Sequence, residues 1–172
     1  MTARTDRKKE IIISAALKCF LKYGYFKTTF GDIAKQAGIS RALIYSYFKN
    51  KSDLYITMNK NLHDSYLATS GEIVKAMGTD REKLAKIIGV WIVKPYCDLR
   101  NSIYATELLD GLVNISEQSE KRFRKLFITS LEPIVPKDVA EIIVLSIRGL
   151  MDDRPPVKTL QKRISLLVRN VA

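Results

Sequence analysis

Apolar residues recur along this chain at intervals of three and four, and strict alternation never holds for long. That period belongs to helices, so the pattern predicts helices throughout and no strand. The first helix is expected from about Thr5 or Asp6 to Tyr23, with Ile12, Ala15, Ala16, Cys19 and Phe20 on one stripe. Two short helices follow, about Phe30 to Ala37 and Arg41 to Phe48. A fourth, capped by Asn50 with Asp53 three residues on, reaches about Met77 with Leu54, Met58, Leu62, Tyr66 and Ile73 inward. The fifth, Arg81 to about Tyr96, sets Leu84, Ile87, Ile88, Trp91 and Ile92 on its apolar face, and Pro95 should bend or end it. Further helices are expected over Ser102 to Asp110, over Ser116 to Leu131, from Pro136 to about Met151, and after Pro155-Pro156.

The punctuation between the short helices is the most informative part of the chain. Thr28-Thr29 offers hydroxyls to cap a helix start, and Asp32 sits in the first turn, where the helix dipole favours negative charge. Ile33, Ala34 and Ala37 give that helix one apolar face. Gly38 stops it, since glycine reaches the left-handed conformation without a Cβ penalty. Ser40 caps the next helix, and Ile44 closes the small core. This is a helix-turn-helix pattern, whose second helix lies in the DNA major groove.

The same residues resemble the TetR family of one-component bacterial transcription regulators. Ile11 to Phe20 resembles that family's first helix, and Tyr23-Gly24-Tyr25 before Thr28-Thr29 resembles its link into the second. Asp32-Ile33-Ala34 through Ala37-Gly38-Ile39-Ser40 resembles the second helix and turn, and Ile44 to Leu54 the recognition helix and the start of the fourth. The resemblance is specific over residues 8 to 55 and architectural beyond. Ala42-Leu43 departs from the Gly-Thr that many members carry, so base readout should shift toward apolar contact, such as a thymine methyl. The resemblance implies an all-α chain: a three-helix DNA-binding domain over 1–50 and a helical effector-binding and dimerisation domain over 51–172.

Composition fits this picture. The hydrophobic content of 47% is that of a globular protein, and no apolar run is long enough to span a bilayer. The polar N-terminus has no signal-peptide core, so a cytoplasmic protein is expected. Net charge is +11, and residues 1–52 hold eleven Lys/Arg against three Asp/Glu, a balance of +8. The excess coincides with the helix-turn-helix, which points to nucleic acid. Cys19 and Cys97 fit no metal spacing, and His63 is the only histidine. There is no paired nucleophile and base and no glycine-rich phosphate loop, so neither an enzyme nor a cofactor is expected.

For DNA binding, Arg41 and Ala42 open the recognition helix and Leu43 follows; Arg41 suits guanine or a phosphate. Thr29 presents a hydroxyl and a helix N-terminus to phosphate. Tyr45 and Lys51 resemble the family's phosphate-contacting tyrosine and lysine, and Tyr47 is placed similarly to Tyr45. Lys8 and Lys9 suit a phosphate or the minor groove. One module reads too few bases alone, so a homodimer on a near-palindromic operator is expected. The last two helices are the candidate interface: Val139 to Met151 is apolar nearly all round, and Leu160, Ile164, Leu167, Val168 and Val171 share a stripe. A pocket for an unidentified small-molecule effector is expected between helices of the body, lined by Tyr66, Trp91, Tyr96, Tyr104 and Phe127 with Glu107 or His63 as polar anchors. The alternative is a helix-turn-helix protein that organises DNA or partners without sensing a ligand; the aromatic stripe is then ordinary core.

Overall fold

The computed structural model describes residues 3–100, 104 and 117–171. Among the described residues every regular element is a helix, and there is no strand. We number them α1 (Ala3–Tyr23), α2 (Phe30–Ala37), α3 (Arg41–Tyr47), α4 (Lys51–Lys75), α5 (Asp80–Ile88), α6 (Lys94–Arg100), α7 (Glu117–Leu131), α8 (Lys137–Met151) and α9 (Val157–Val171). The helix expected over Ser102 to Asp110 lies outside the described residues. No described helix is long and apolar enough to cross a membrane.

Contacts divide the described residues into two compact units. One runs up to Asn61 and takes in Leu99–Ser119; the other comprises Leu62–Asp98 and the chain from Glu120 onward.

In the first unit, Ile12, Ala15, Ala16, Cys19 and Phe20 of α1 are all buried, as their spacing predicts. They pack with Ile33 and Ala34 of α2, Ile44 and Phe48 beside α3, and Leu54, Tyr55 and Met58 of α4. Local chemistry sets each helix end. Thr29 and Asp32 form a capping box at α2: the Thr29 hydroxyl accepts from the Asp32 N–H at 3.2 Å, and the Asp32 carboxylate accepts from the Thr29 N–H at 2.8 Å. Gly38 ends α2 at φ +66°, and the Ile39 N–H reaches back to the Ala34 carbonyl at 3.1 Å. Ser40 accepts from the Leu43 N–H at 3.2 Å and starts α3. Before α4, Asn50 accepts from the Asp53 N–H at 2.8 Å, while Asp53 accepts from the Lys49 N–H at 3.0 Å.

The second unit is built on Leu84, Ile87, Ile88, Trp91 and Ile92, which meet Phe127 and Leu131 of α7, Ile143 and Ile147 of α8, and Leu160, Ile164 and Val168 of α9. Two sequence expectations are corrected here. Leu62 does not point inward: it is 41% exposed, and the inward face of α4 carries His63 and Ser70 instead. A reading that follows apolar residues misses this face, where Ser70 buries its hydroxyl by bonding the Tyr66 carbonyl and Trp91. Nor does Pro95 end the helix. Gly89–Val93 form one π turn between α5 and α6, in which the Lys94 N–H bonds the Gly89 carbonyl five residues back. Pro95 then falls at the start of α6, where a missing N–H costs little.

Candidate nucleic-acid interface

Helix α3 has seven residues, and its burial pattern sorts them into two faces. Ile44 and the following Phe48 are buried and hold the helix on the core. Arg41, Ala42, Tyr45 and Ser46 are exposed, and Leu43 and Tyr47 are half-buried. The expected readers Arg41, Ala42 and Tyr45 therefore share the outward surface, while Leu43 and Tyr47 give only part of their side chains to it. Ser46 is not among the expected readers. It lies four residues after Ala42, so helical spacing alone places it on that face. Its hydroxyl donates to the Leu43 carbonyl at 2.7 Å.

Arg41 is held in place before any ligand arrives. Its guanidinium donates to the Tyr45 hydroxyl at 3.1 Å and lies 5.5 Å from the Tyr45 ring centre. The Tyr45 ring in turn meets Phe30 edge-on at 5.0 Å. This couples the recognition helix to the first residue of α2, and it reduces the side-chain entropy that Arg41 would lose on binding.

Thr29 is exposed at the start of α2, and its hydroxyl is already occupied: it donates to the Asp32 carboxylate at 2.7 Å. That contact, with the Thr29 N–H bond, holds the Asp32 carboxyl below the usual carboxylate range. Lys51 is half-buried in the first turn of α4, and its ammonium is also engaged. It donates to the carbonyls of Tyr25 at 2.6 Å, Phe26 at 2.9 Å and Thr28 at 2.8 Å. Lys9 is half-buried, with its ammonium 5.8 Å from the centre of the Phe48 ring, and Lys8 is half-buried too.

Of the residues expected to line an effector pocket, Tyr66, Trp91, Tyr96 and Phe127 belong to the second unit. Tyr104 belongs to the first unit, where the Lys27 ammonium lies 5.8 Å from its ring centre. Glu107 lies outside the described residues. Trp91 and Phe127 are buried and stack on each other at 5.2 Å, and Phe123 meets Trp91 edge-on at 5.5 Å. Trp91 Nε1 donates to the Ser70 hydroxyl at 2.9 Å, which in turn donates to the Tyr66 carbonyl at 2.8 Å. Tyr96 is buried and donates to the Pro155 carbonyl at 2.6 Å. His63 completes this aromatic group: it stacks on Trp91 at 6.2 Å, and burial pushes its pKa down to about 4. In the same unit, a surface hollow of about 450 Å³ runs along α7 and α8, bordered by Lys121, Arg124, Lys125 and Lys137, with none of the expected aromatics. Among the described residues no group of three or more His, Cys, Asp or Glu is arranged to hold a metal ion.

Residues 12–58 match the family described as bacterial regulatory proteins, tetR family. The fatty acid metabolism regulator protein of Bacillus subtilis (strain 168) is 39% identical over 77 residues, which cover 45% of this chain and 40% of that one. The HTH-type transcriptional regulator TtgR of Pseudomonas putida is 31% identical over 116 residues, 63% of this chain and 55% of that protein. The chain thus aligns with about half, or less, of the length of these two relatives. The crystal structure of a TetR transcription regulator from Haloarcula marismortui ATCC 43049 superposes with a TM-score of 0.73 at 18% identity, covering 96% of this chain and 98% of that one. Residues 12–58 thus match the tetR family of bacterial regulatory proteins, and over nearly its whole length the chain has the fold of a solved structure described as a TetR transcription regulator.

Proposed function

We propose that this protein is a DNA-binding transcriptional regulator rather than an enzyme, acting in the cytoplasm as a homodimer on a near-palindromic operator. The observation that carries this reading is the outward face of α3. Arg41, Ala42 and Tyr45 stand exposed on a helix that Ser40 and Gly38 set against α2, inside the segment that matches the tetR family. The clustered positive charge of residues 1–52 supplies attraction to phosphate. Residues 1–50 act as the reading head, with Arg41, Ala42 and Leu43 at base edges and Thr29, Tyr45 and Tyr47 at the backbone. Residues 51–172 carry dimerisation and effector response. Ile142, Leu145 and Leu166 of α8 and α9 are 56%, 53% and 46% exposed, an apolar surface that a second copy would cover. Half-sites then lie about 34–36 Å apart, or a multiple of that, on one face of the duplex.

The test is selection of binding sites from random duplex DNA with the purified protein. A near-palindrome should be enriched, and its binding should weaken steeply with salt. Failure to enrich any sequence, or equal binding to matched RNA, would sink the reading. Arg41→Ala should relax the preference at one base pair per half-site and cost about 1–3 kcal/mol if it reads guanine.

The finer reading is a repressor released by a small molecule, which works only through that molecule's different affinity for the DNA-bound and free states. A second reading, DNA binding without an effector, is favoured by one observation: Trp91, Phe127, Phe123 and His63 pack their rings against one another. Titrating a metabolite library against the operator complex separates the two readings. Release by a compound that also binds the free protein favours the first.

A further inference from the structure

Lys51 stands where a cation is poorly placed by simple electrostatics. It is the first residue of α4, and the positive end of the helix dipole disfavours a lysine there. Its side chain turns away from that end. It reaches the loop between α1 and α2, where the chain turns and several carbonyls have no helical partner. The three carbonyls of Tyr25, Phe26 and Thr28 converge on its ammonium at 2.6, 2.9 and 2.8 Å. An ammonium has three N–H donors, so this set uses all of them. The ring of Tyr25 adds a fourth contact, with its centre 4.6 Å from Nζ. That ring is fixed in turn by Phe20 and Tyr55 at 5.3 and 5.1 Å.

The loop so gripped determines where α2 begins. Thr28 bonds twice to the Gly24 carbonyl, through its N–H at 3.2 Å and its hydroxyl at 2.6 Å. The next residue is Thr29, the cap of α2. A phosphate could engage the Lys51 ammonium only by displacing one of three short, charge-assisted bonds that hold this arrangement.

We propose that Lys51 is a positioning residue and not a phosphate contact: its ammonium ties the α1–α2 loop to the start of α4 and so fixes the threonine-capped end of α2. The proposal rests on the DNA-binding reading for its functional consequence, and on the loop geometry alone for the clamp.

Two variants test it. Lys51→Met keeps the stem and removes the donors. Lys51→Arg keeps the charge, and a planar guanidinium cannot aim three donors as a tetrahedral ammonium does. Amide hydrogen exchange reads the clamp without DNA. Affinity for a duplex selected with the unmodified protein, measured across a salt series, reads the contact. With Lys51→Met, exchange at the Thr28 and Ile33 N–H groups should accelerate by about tenfold or more, because charge-assisted bonds are lost. Affinity should fall by about tenfold or more, with the salt slope nearly unchanged, because Thr29 and the backbone amides carry no formal charge. Lys51→Arg should fall between the two. A direct phosphate contact predicts the opposite: a slope shallower by about 0.9 in Lys51→Met, and binding by Lys51→Arg equal to the unmodified protein. A shallower slope of that size overturns the proposal whatever the exchange does, and so does unchanged exchange. If Lys51→Met does not fold, Lys51→Arg decides alone: faster exchange with weaker binding supports the clamp, and unmodified behaviour overturns it. If the unmodified protein selects no duplex, the functional reading fails while the exchange data still judge the clamp.

Discussion

Lowering the pH from neutral should destabilise this protein through His63. His63 is 8% exposed and sits among Trp91, Tyr66 and Phe123 at ring distances of 6.2, 6.4 and 5.2 Å. Burial is the larger cause of its lowered pKa and the nearby Arg122 charge the smaller; Asp64, which is ion-paired with Arg122, opposes both. The folded pKa is about 4 against an ordinary 6.5. The unfolded chain therefore takes up a proton first as pH falls, and protonation pulls the equilibrium toward it. Stability from this site is complete above the ordinary pKa and is lost progressively down to the folded one. The full loss is about 3 kcal/mol, and about 2 kcal/mol of it should have gone by about pH 5. Asp32 and Asp153, whose carboxyls are held below their ordinary value of 3.8, lose their contributions only at lower pH, so the histidine window is clear of them. The assay is urea unfolding of the unmodified protein and of His63→Phe at about pH 7 and pH 5. Phenylalanine keeps a ring in the aromatic group and removes the proton site. The variant should lose about 2 kcal/mol less than the unmodified protein over that interval. If the two proteins fall in parallel, His63 does not titrate in this way and the reasoning is refuted.

Three other substitutions probe separate parts of the argument. Gly38→Ala should cost about 1 kcal/mol in the same urea assay, because φ is +66° and a Cβ meets no neighbour within 4 Å; the strain is backbone alone, and chain entropy offsets part of it. Destabilisation well above that figure would mean a clash that the geometry does not contain. Tyr96→Phe should cost about 0.5–1.5 kcal/mol by removing the hydroxyl that donates to the Pro155 carbonyl, and an unchanged urea midpoint would show that this bond adds nothing to stability. Ile142→Glu and Leu145→Glu should each weaken self-association by about tenfold or more in sedimentation equilibrium while leaving the helical signal intact. An unaltered dimer would move the interface elsewhere.

Where the chain's instructions are local, they can be read without the structure. Thr29, Asp32, Gly38 and Ser40 act within four residues of themselves, and the bounds expected for α2, Phe30 to Ala37, are the observed ones. Pro136 likewise opens α8. Where the instruction is long-range, the sequence misleads. Lys51 resembles the family's phosphate-contacting lysine, and the carbonyls that hold its ammonium lie 23 to 26 residues earlier, out of reach of a local reading. Pro95 reads as a bend or an end, and the π turn that lets helical structure continue past it accompanies the burial of Trp91, Ile92 and Tyr96, with contacts as remote as Pro155. An aromatic stripe has the same spacing whether it lines a pocket or fills it. Only the stacking of Trp91 on Phe127 and the bond from Trp91 to Ser70 reveal how closely those side chains pack.

The π turn at Gly89–Val93 has a consequence for how this chain tolerates editing. A π turn holds one residue more than the helical ladder around it needs. Each residue of an α-helix advances the side-chain direction by about 100°, so that surplus residue sets the phase of everything after it. Removing a single residue from Gly89–Val93 would let the ladder close with ordinary spacing, and that segment taken alone would gain regularity. That deletion would leave α6 facing nearly as it does now, whereas forcing Gly89–Val93 into ordinary α-helical spacing with no residue removed would turn α6 by about 100° relative to α5 and carry the Tyr96 hydroxyl off the Pro155 carbonyl. The irregular turn thus works as a phase shifter: the chain accepts a local defect so that Trp91 and Tyr96 reach the same core.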